Sequence, residues 1–166
     1  DFSKYAANAF SLLQEVAARH GKDLRYNIPV ELGGFSIFFP LLLSLITEFK
    51  TVDADGAGRA VPALETLLLH VNGCPTSPIA LANGVNDKIT VELADSHNAP
   101  LAEKIGRDIC GEFGNMVGIS GWLVDKTDIE NRIITGSITL CEKIGAIMRR
   151  ANCPAEKLFE MLASEK

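Results

Sequence analysis

The chain has 166 residues, a formal net charge of −5 and 47% hydrophobic side chains. The surplus of acid over base excludes a general nucleic-acid binder, because affinity for a phosphate backbone comes from clustered Lys and Arg, and the longest basic run here is the pair Arg149 and Arg150. Length and apolar share suit one globular domain with a sizeable core.

Apolar residues at Phe2, Ala6, Ala9, Phe10, Leu13, Val16 and Ala17 recur in steps of three and four, which predicts a first helix ended by Gly21, with Arg19 and His20 in its last turn. Pro29 and the pair Gly33-Gly34 limit residues 23–32 to a short edge strand or an extended connector. Residues 35–49 then read F-S-I-F-F-P-L-L-L-S-L-I-T-E-F, apolar on nearly every side and interrupted only by Ser36 and Ser44 before Ile46. A helix without a polar face is expected to be covered, so this stretch is read as the buried centre of the fold. Pro40 suits a first helical turn, which predicts extended chain over 35–39 and a helix over 40–50. Pro40 breaks the run, and Glu48 and Lys50 close it, well short of the roughly 20 apolar residues a membrane span needs.

Residues 51–60 are turn-rich, and Val61, Leu64, Leu67, Leu68 and Val71 predict the buried stripe of a third helix ending at Gly73. The run C-P-T-S-P at 74–78 is a seam between a helical first half, 1–73, and a mixed second half, 79–166. Residues 79–82 and 88–94 alternate as strands around the turn formers of 83–87, a hairpin signal. A helix over 99–113, burying Leu101, Ile105, Ile109 and Phe113, and a strand over 117–124 follow. Thr127 and Glu130 match a capping box. Behind them Ile129, Ile133, Gly136, Leu140, Ile144, Ile147 and Ala151 predict one long helix. The β-branched Ile133, Ile134, Thr135, Ile138 and Thr139 support a competing strand over 132–140. A last helix over 154–164 is expected to bury Leu158, Phe159, Met161 and Leu162. The expected fold is α+β: a helix-rich single domain, 1–166, around a buried central helix, with a small three- to four-stranded sheet in its second half.

Asp95-Ser96-His97-Asn98 falls between a predicted strand and a predicted helix, where α/β architectures gather ligand groups and free N–H groups attract anions. Asp95, Ser96 and His97 offer a carboxylate, a hydroxyl and an imidazole, while Asn98 offers a helix-start contact for a ligand. Consecutive side chains point in different directions, so these are not by themselves a triad, and a capping role for Ser96 or Asn98 with a solvated His97 competes. Asp53-Ala54-Asp55-Gly56-Ala57-Gly58 opens like a calcium loop, but Ala57 and Leu64 stand where oxygen ligands are needed. Its glycines lack the preceding strand and third glycine of a dinucleotide fingerprint. Cys74, Cys110, Cys141 and Cys153 have no zinc spacing, and Cys110 and Cys141 are expected to pack as small hydrophobes. A reducing compartment is the simpler setting, with a Cys74–Cys153 bridge the alternative. His20 and His70 fit helix C-termini. Trp122, Phe38 and Phe39 are candidates to line an apolar ligand site, with ordinary core packing as the competing use.

Gly136 and Gly145 weaken the long helix by about 1 kcal/mol each, which points to a close neighbour, whether another helix, a second subunit or a ligand, and a small domain this rich in apolar helix faces favours self-association. No nucleophile, metal or phosphate motif stands out, and no signal peptide is expected, the first residues lacking a basic stretch followed by an apolar one. The expectation is therefore a non-catalytic module binding a small, partly apolar ligand or serving in assembly, as a homodimer or complex subunit in the cytoplasm. No cofactor, no metal, no nucleic acid and no membrane span are expected. The alternative is a small enzyme using His97 as general acid or base, with Asp95, on an anionic or carbonyl substrate.

Overall fold

The computed structural model describes residues 2–151, 159–160 and 163, and its architecture is α+β. Helix α1 (Phe2–Arg19) buries Ala9, Phe10, Leu12, Leu13, Val16 and Ala17 along one stripe. Gly21, at φ +68°, turns the chain out just past its end. Strands β4 (Ile79–Ala82), β5 (Lys88–Val91) and β6 (Gly118–Ser120) form an antiparallel sheet in the order β5-β4-β6. Successive side chains of a strand face opposite ways. Ala80 therefore meets Leu12, Leu13 and Val16 of α1, while Ile79, Leu81 and Val91 meet Ala102 of helix α4 (Ala99–Glu112) on the other face. The result is a helix–sheet–helix sandwich in which β4 is buried along its whole length. At β6 the layers nearly touch: a Cβ on Gly118 would lie 2.1 Å from the Tyr5 carbonyl oxygen.

Two smaller pairings flank the sandwich. β1 (Tyr26–Asn27) runs parallel to β2 (Lys50–Thr51), and β3 (Ala54–Asp55) runs antiparallel to β7 (Ile134–Thr135). Asn27 ties helix α2 (Phe38–Ile46) to the first pair, donating to Ser44 Oγ at 3.2 Å and accepting from the Thr51 hydroxyl at 2.9 Å.

The structure corrects several expectations. α2 is an outer wall and not a covered centre. Leu43 is its one buried residue, while Phe38 and Leu45 are 62% and 83% exposed. It packs on α1 and β2 from one side, and no described element roofs the other. The third helix is reduced to a 3₁₀ turn, Leu64–Thr66, and the four-residue α3 (Leu68–Val71), with Leu67 extended between them. The Leu68 N–H donates to the Gly56 carbonyl at 2.8 Å, so a tertiary bond replaces a helical one, and Val71 ends up exposed. α4 turns Ala99 and Ala102 inward and leaves Leu101 partly in solvent.

The long helix is split into α5 (Lys126–Arg132) and α6 (Ser137–Ala151), with β7 between them. Its start is capped by Asp125 and Asp128, two residues ahead of the Thr127 and Glu130 pair. Gly136 sits at φ +77° at the break, with nothing within 4 Å of a Cβ built there, and Gly145 meets only Arg149 of its own helix. The first glycine serves a turn, and neither marks a packed neighbour among the described residues. Cys141 is exposed, and Cys74 is a buried free thiol. The expected last helix lies largely outside the described residues, with residues 159, 160 and 163 helical and Phe159 exposed.

Candidate functional site

Asp95, Ser96, His97 and Asn98 form the exposed turn between β5 and α4. Asn98 is the N-cap, its Oδ1 accepting from the Leu101 N–H at 3.1 Å. Asp95 Oδ1 accepts from the His97 backbone N–H at 3.0 Å, and the Ser96 carbonyl accepts from Thr76 and Ser77. The His97 ring lies 3.9 Å from Asp95 Oδ1 and 3.4 Å from Ser96 Oγ, with the His97 and Asp95 side chains 53% and 69% exposed. The three groups of the acid–base alternative are thus together, but the carboxylate comes from the same turn and no other segment closes over them. Asp95 Oδ1, Asn98 Oδ1 and the Ser96 carbonyl each hold a backbone N–H of the turn or its neighbours.

The acidic loop of 53–58 is tightly built. Asp55 is fully buried, and its Oδ1 accepts from the N–H groups of Ala57 at 2.8 Å and Gly58. A Cβ on Gly56 would lie 2.6 Å from the Val30 carbonyl oxygen. Asp53 points the other way and caps α6: Oδ1 accepts from Ile138 and Thr139 N–H, and Oδ2 from the Thr139 hydroxyl at 2.5 Å. The donated Thr139 hydroxyl, opposed by desolvation and aided by the two N–H groups, holds the Asp53 carboxyl below the ordinary carboxylate range.

The open volume lies elsewhere, in a cleft of about 970 Å³ beyond the free edge of β6. One wall is α1 with Phe2, Phe10 and Leu13, a second is residues 22–31, and α2 supplies Phe39, Pro40 and Leu43. Residues 116–126, Trp122 among them, complete it. Phe35 and Phe39 meet edge to face at 5.0 Å between ring centres, and Phe2 meets Phe35 at 5.8 Å, forming an aromatic rim. Of the four residues expected to bind a ligand, Trp122 and Phe39 line this cleft. Phe38 faces outward and Asn98 belongs to the α4 cap.

Most polar groups of the lining are already engaged. Lys22 Nζ donates to the Leu123 carbonyl at 2.7 Å, Glu31 accepts from the Val61 N–H at 2.7 Å, and Ser36 Oγ accepts from Gly33 at 3.1 Å. Trp122 differs. Its φ of +53° is rare for a bulky residue, the residue is 5% exposed, and its indole N–H is shielded without a partner among the described residues. It packs with Leu67, Leu69 and Cys74, whose burial raises the thiol's pKa against the opposing pull of the Arg132 guanidinium. Sequence reading reached Trp122 and Phe39 as aromatics; the cleft between residues 22–31 and 116–126 has no local signal.

No curated protein matches the chain. A crystal structure of a protein from Chromobacterium violaceum shares the fold, with a TM-score of 0.87 at 23% identity over 98% of this chain. This chain spans 46% of that one. Two family models match in succession: the S-Me-THD-like N-terminal domain over residues 3–93 and the S-Me-THD-like C-terminal domain over residues 96–166. With more than half its length under the first of them, the chain belongs to the S-Me-THD-like family.

Proposed function

We propose that the chain binds a small, partly apolar ligand in the cleft beside β6, with Trp122 as its anchor. The observation that carries this reading is the state of that residue: a strained backbone and a shielded, unpaired indole N–H, on the wall of a large apolar cleft. A buried donor without a partner costs about 1–3 kcal/mol, and strained residues cluster where a site requires them. The indole is a donor only and is closed off from the open cleft, so a ligand would reach it as the Trp122 side chain shifts on binding, and would carry an acceptor such as a carbonyl on an apolar body. Aromatic and aliphatic walls with few free polar groups suit such a molecule. The free Cys74 thiol agrees with a reducing, cytoplasmic setting.

Trp122 is the single tryptophan of the chain, so its emission reports the site. The probe is 1-anilinonaphthalene-8-sulfonate, displaced by benzamide, which carries a carbonyl, or by toluene, which does not. Expected are dye binding with energy transfer from Trp122, and displacement by both compounds. Trp122→Phe keeps an aromatic ring and removes the donor. It should weaken benzamide about three- to tenfold, the range of one net hydrogen bond, and leave toluene unchanged. Absence of dye binding sinks the cleft reading; equal benzamide affinity in both proteins sinks the role of the indole.

A further inference from the structure

We propose that the outer face of α2 is where two copies of this chain meet, helix against helix about a two-fold axis. On a 100° wheel Phe38, Leu41 and Leu45 lie on the side opposite the buried Leu43, with Leu42 and Ile46 flanking them. Leu45 is 83%, Phe38 62% and Ile46 52% exposed, and Phe35 with its edge-to-face partner Phe2 extends the patch at the helix start. At the roughly 150–250 Å² that a large apolar side chain can bury, these exposed fractions amount to on the order of 600 Å². That exceeds what scattered surface residues present and approaches the roughly 800 Å² per partner of a standard interface, leaving a polar rim to supply the rest.

A second copy is the occupant that charge favours. The protein carries a net −5, so two copies repel over most of their surfaces, yet residues 35–47 contain no ionisable side chain. Two such faces can close without opposing like charges. An antiparallel approach also pairs opposite ends of the helix dipoles, and the end of α2 carries both Glu48 and Lys50, so no net charge gathers there. A two-fold contact uses the same patch twice and closes at the dimer. Phe2 and Phe35 border both the patch and the cleft, but Phe38, Leu41, Leu45 and Ile46 lie outside the cleft lining, so the contact between the helices does not require a ligand in the cleft.

Sedimentation velocity of the full chain, from low to high micromolar concentration, tests it. The expected result is a concentration-dependent monomer–dimer equilibrium and nothing larger. Leu45→Lys places two charges in a symmetric interface and should raise the dimer dissociation constant roughly 100-fold or more. Phe38→Lys should do the same, and serves if the first variant loses its near-ultraviolet tryptophan signal. Val85→Lys removes an equally exposed apolar side chain at the β4–β5 hairpin tip and should leave the dimer intact. The proposal is overturned by a monomer at every concentration, by open-ended assembly, by dimers that both α2 variants leave as tight as the parent, or by equal weakening in Val85→Lys. Dye binding at the cleft is unchanged in each α2 variant, which separates this failure from failure of the ligand reading.

Discussion

Asp53 closes the N-terminus of α6 from 85 residues away in sequence, and its carboxylate takes three donors there. A helix start leaves N–H groups unsatisfied, and an acidic cap both accepts from them and complements the dipole. Because the folded carboxyl is held below its usual range, its contribution to stability is fully present above the unfolded pKa of about 3.9 and is lost as pH falls through the lowered folded value. Asp53→Asn should therefore be less stable than the parent near neutrality, and the gap should close as the pH drops below about 4. Urea midpoints for the two proteins between pH 6 and roughly 3 give the test; a gap that is flat across that range removes the linkage. Cys74 has the opposite character. It is buried, with its pKa raised, so Ellman's reagent should react with native Cys74→Ala as fast as with the parent, while exposed Cys141 reacts at once.

Elements whose own apolar period is amphipathic were legible in the sequence. α1 and the β4–β5 hairpin form where their apolar pattern places them, and so does α4 in its span, although it buries Ala99 and Ala102 where the pattern points to Leu101. The failures occur where a distant partner decides the local state. Ile134 and Thr135 leave the helical pattern because Asp55 and Ala54 offer a strand, and Gly136 supplies the left-handed turn that follows. Leu67 becomes extended because Leu68 bonds to Gly56. α2 was read as a covered centre from composition alone, which says that a face needs cover but not that the same chain provides it. Half the candidate site was legible, as Trp122 and Phe39, and the cleft they share was not, because its walls come from segments nearly 100 residues apart. The tightest joint between elements is at Gly118, where a methyl group would meet the α1 backbone. Gly118→Ala should lower unfolding stability by about 1–3 kcal/mol, the usual penalty for overpacking, as read from denaturant midpoints. A loss under about 0.5 kcal/mol would mean that α1 rides loosely on β6.

For the whole molecule, the two family models divide the chain between residues 93 and 96, whereas the physical contacts run across that line. β6 from the later segment pairs with β4 from the earlier one through Ala80–Ser120, Leu81–Ile119 and Ala82–Gly118. The carbonyl of Ser96 takes the N–H groups of Thr76 and Ser77, and Ala102 of α4 covers Ile79 and Leu81. α4 is thus one of the two outer layers of a sandwich whose middle layer draws β4 and β5 from the other segment and β6 from its own. A sheet covered on one face exposes the apolar side chains of the other, and a lone two-stranded hairpin is at best marginal in water. Residues 3–93 expressed alone would keep α1 against β4 and β5 but lose the cover over Ile79, Leu81 and Val91, and residues 96–166 would keep no sheet partner for β6. Neither piece should unfold cooperatively in urea. The joined chain should do so in a single transition, followed by tryptophan emission and far-ultraviolet circular dichroism together. If the 3–93 piece alone gave a sharp transition at the parent's midpoint, the sandwich would not be the folding unit, and the family boundary would be a structural one.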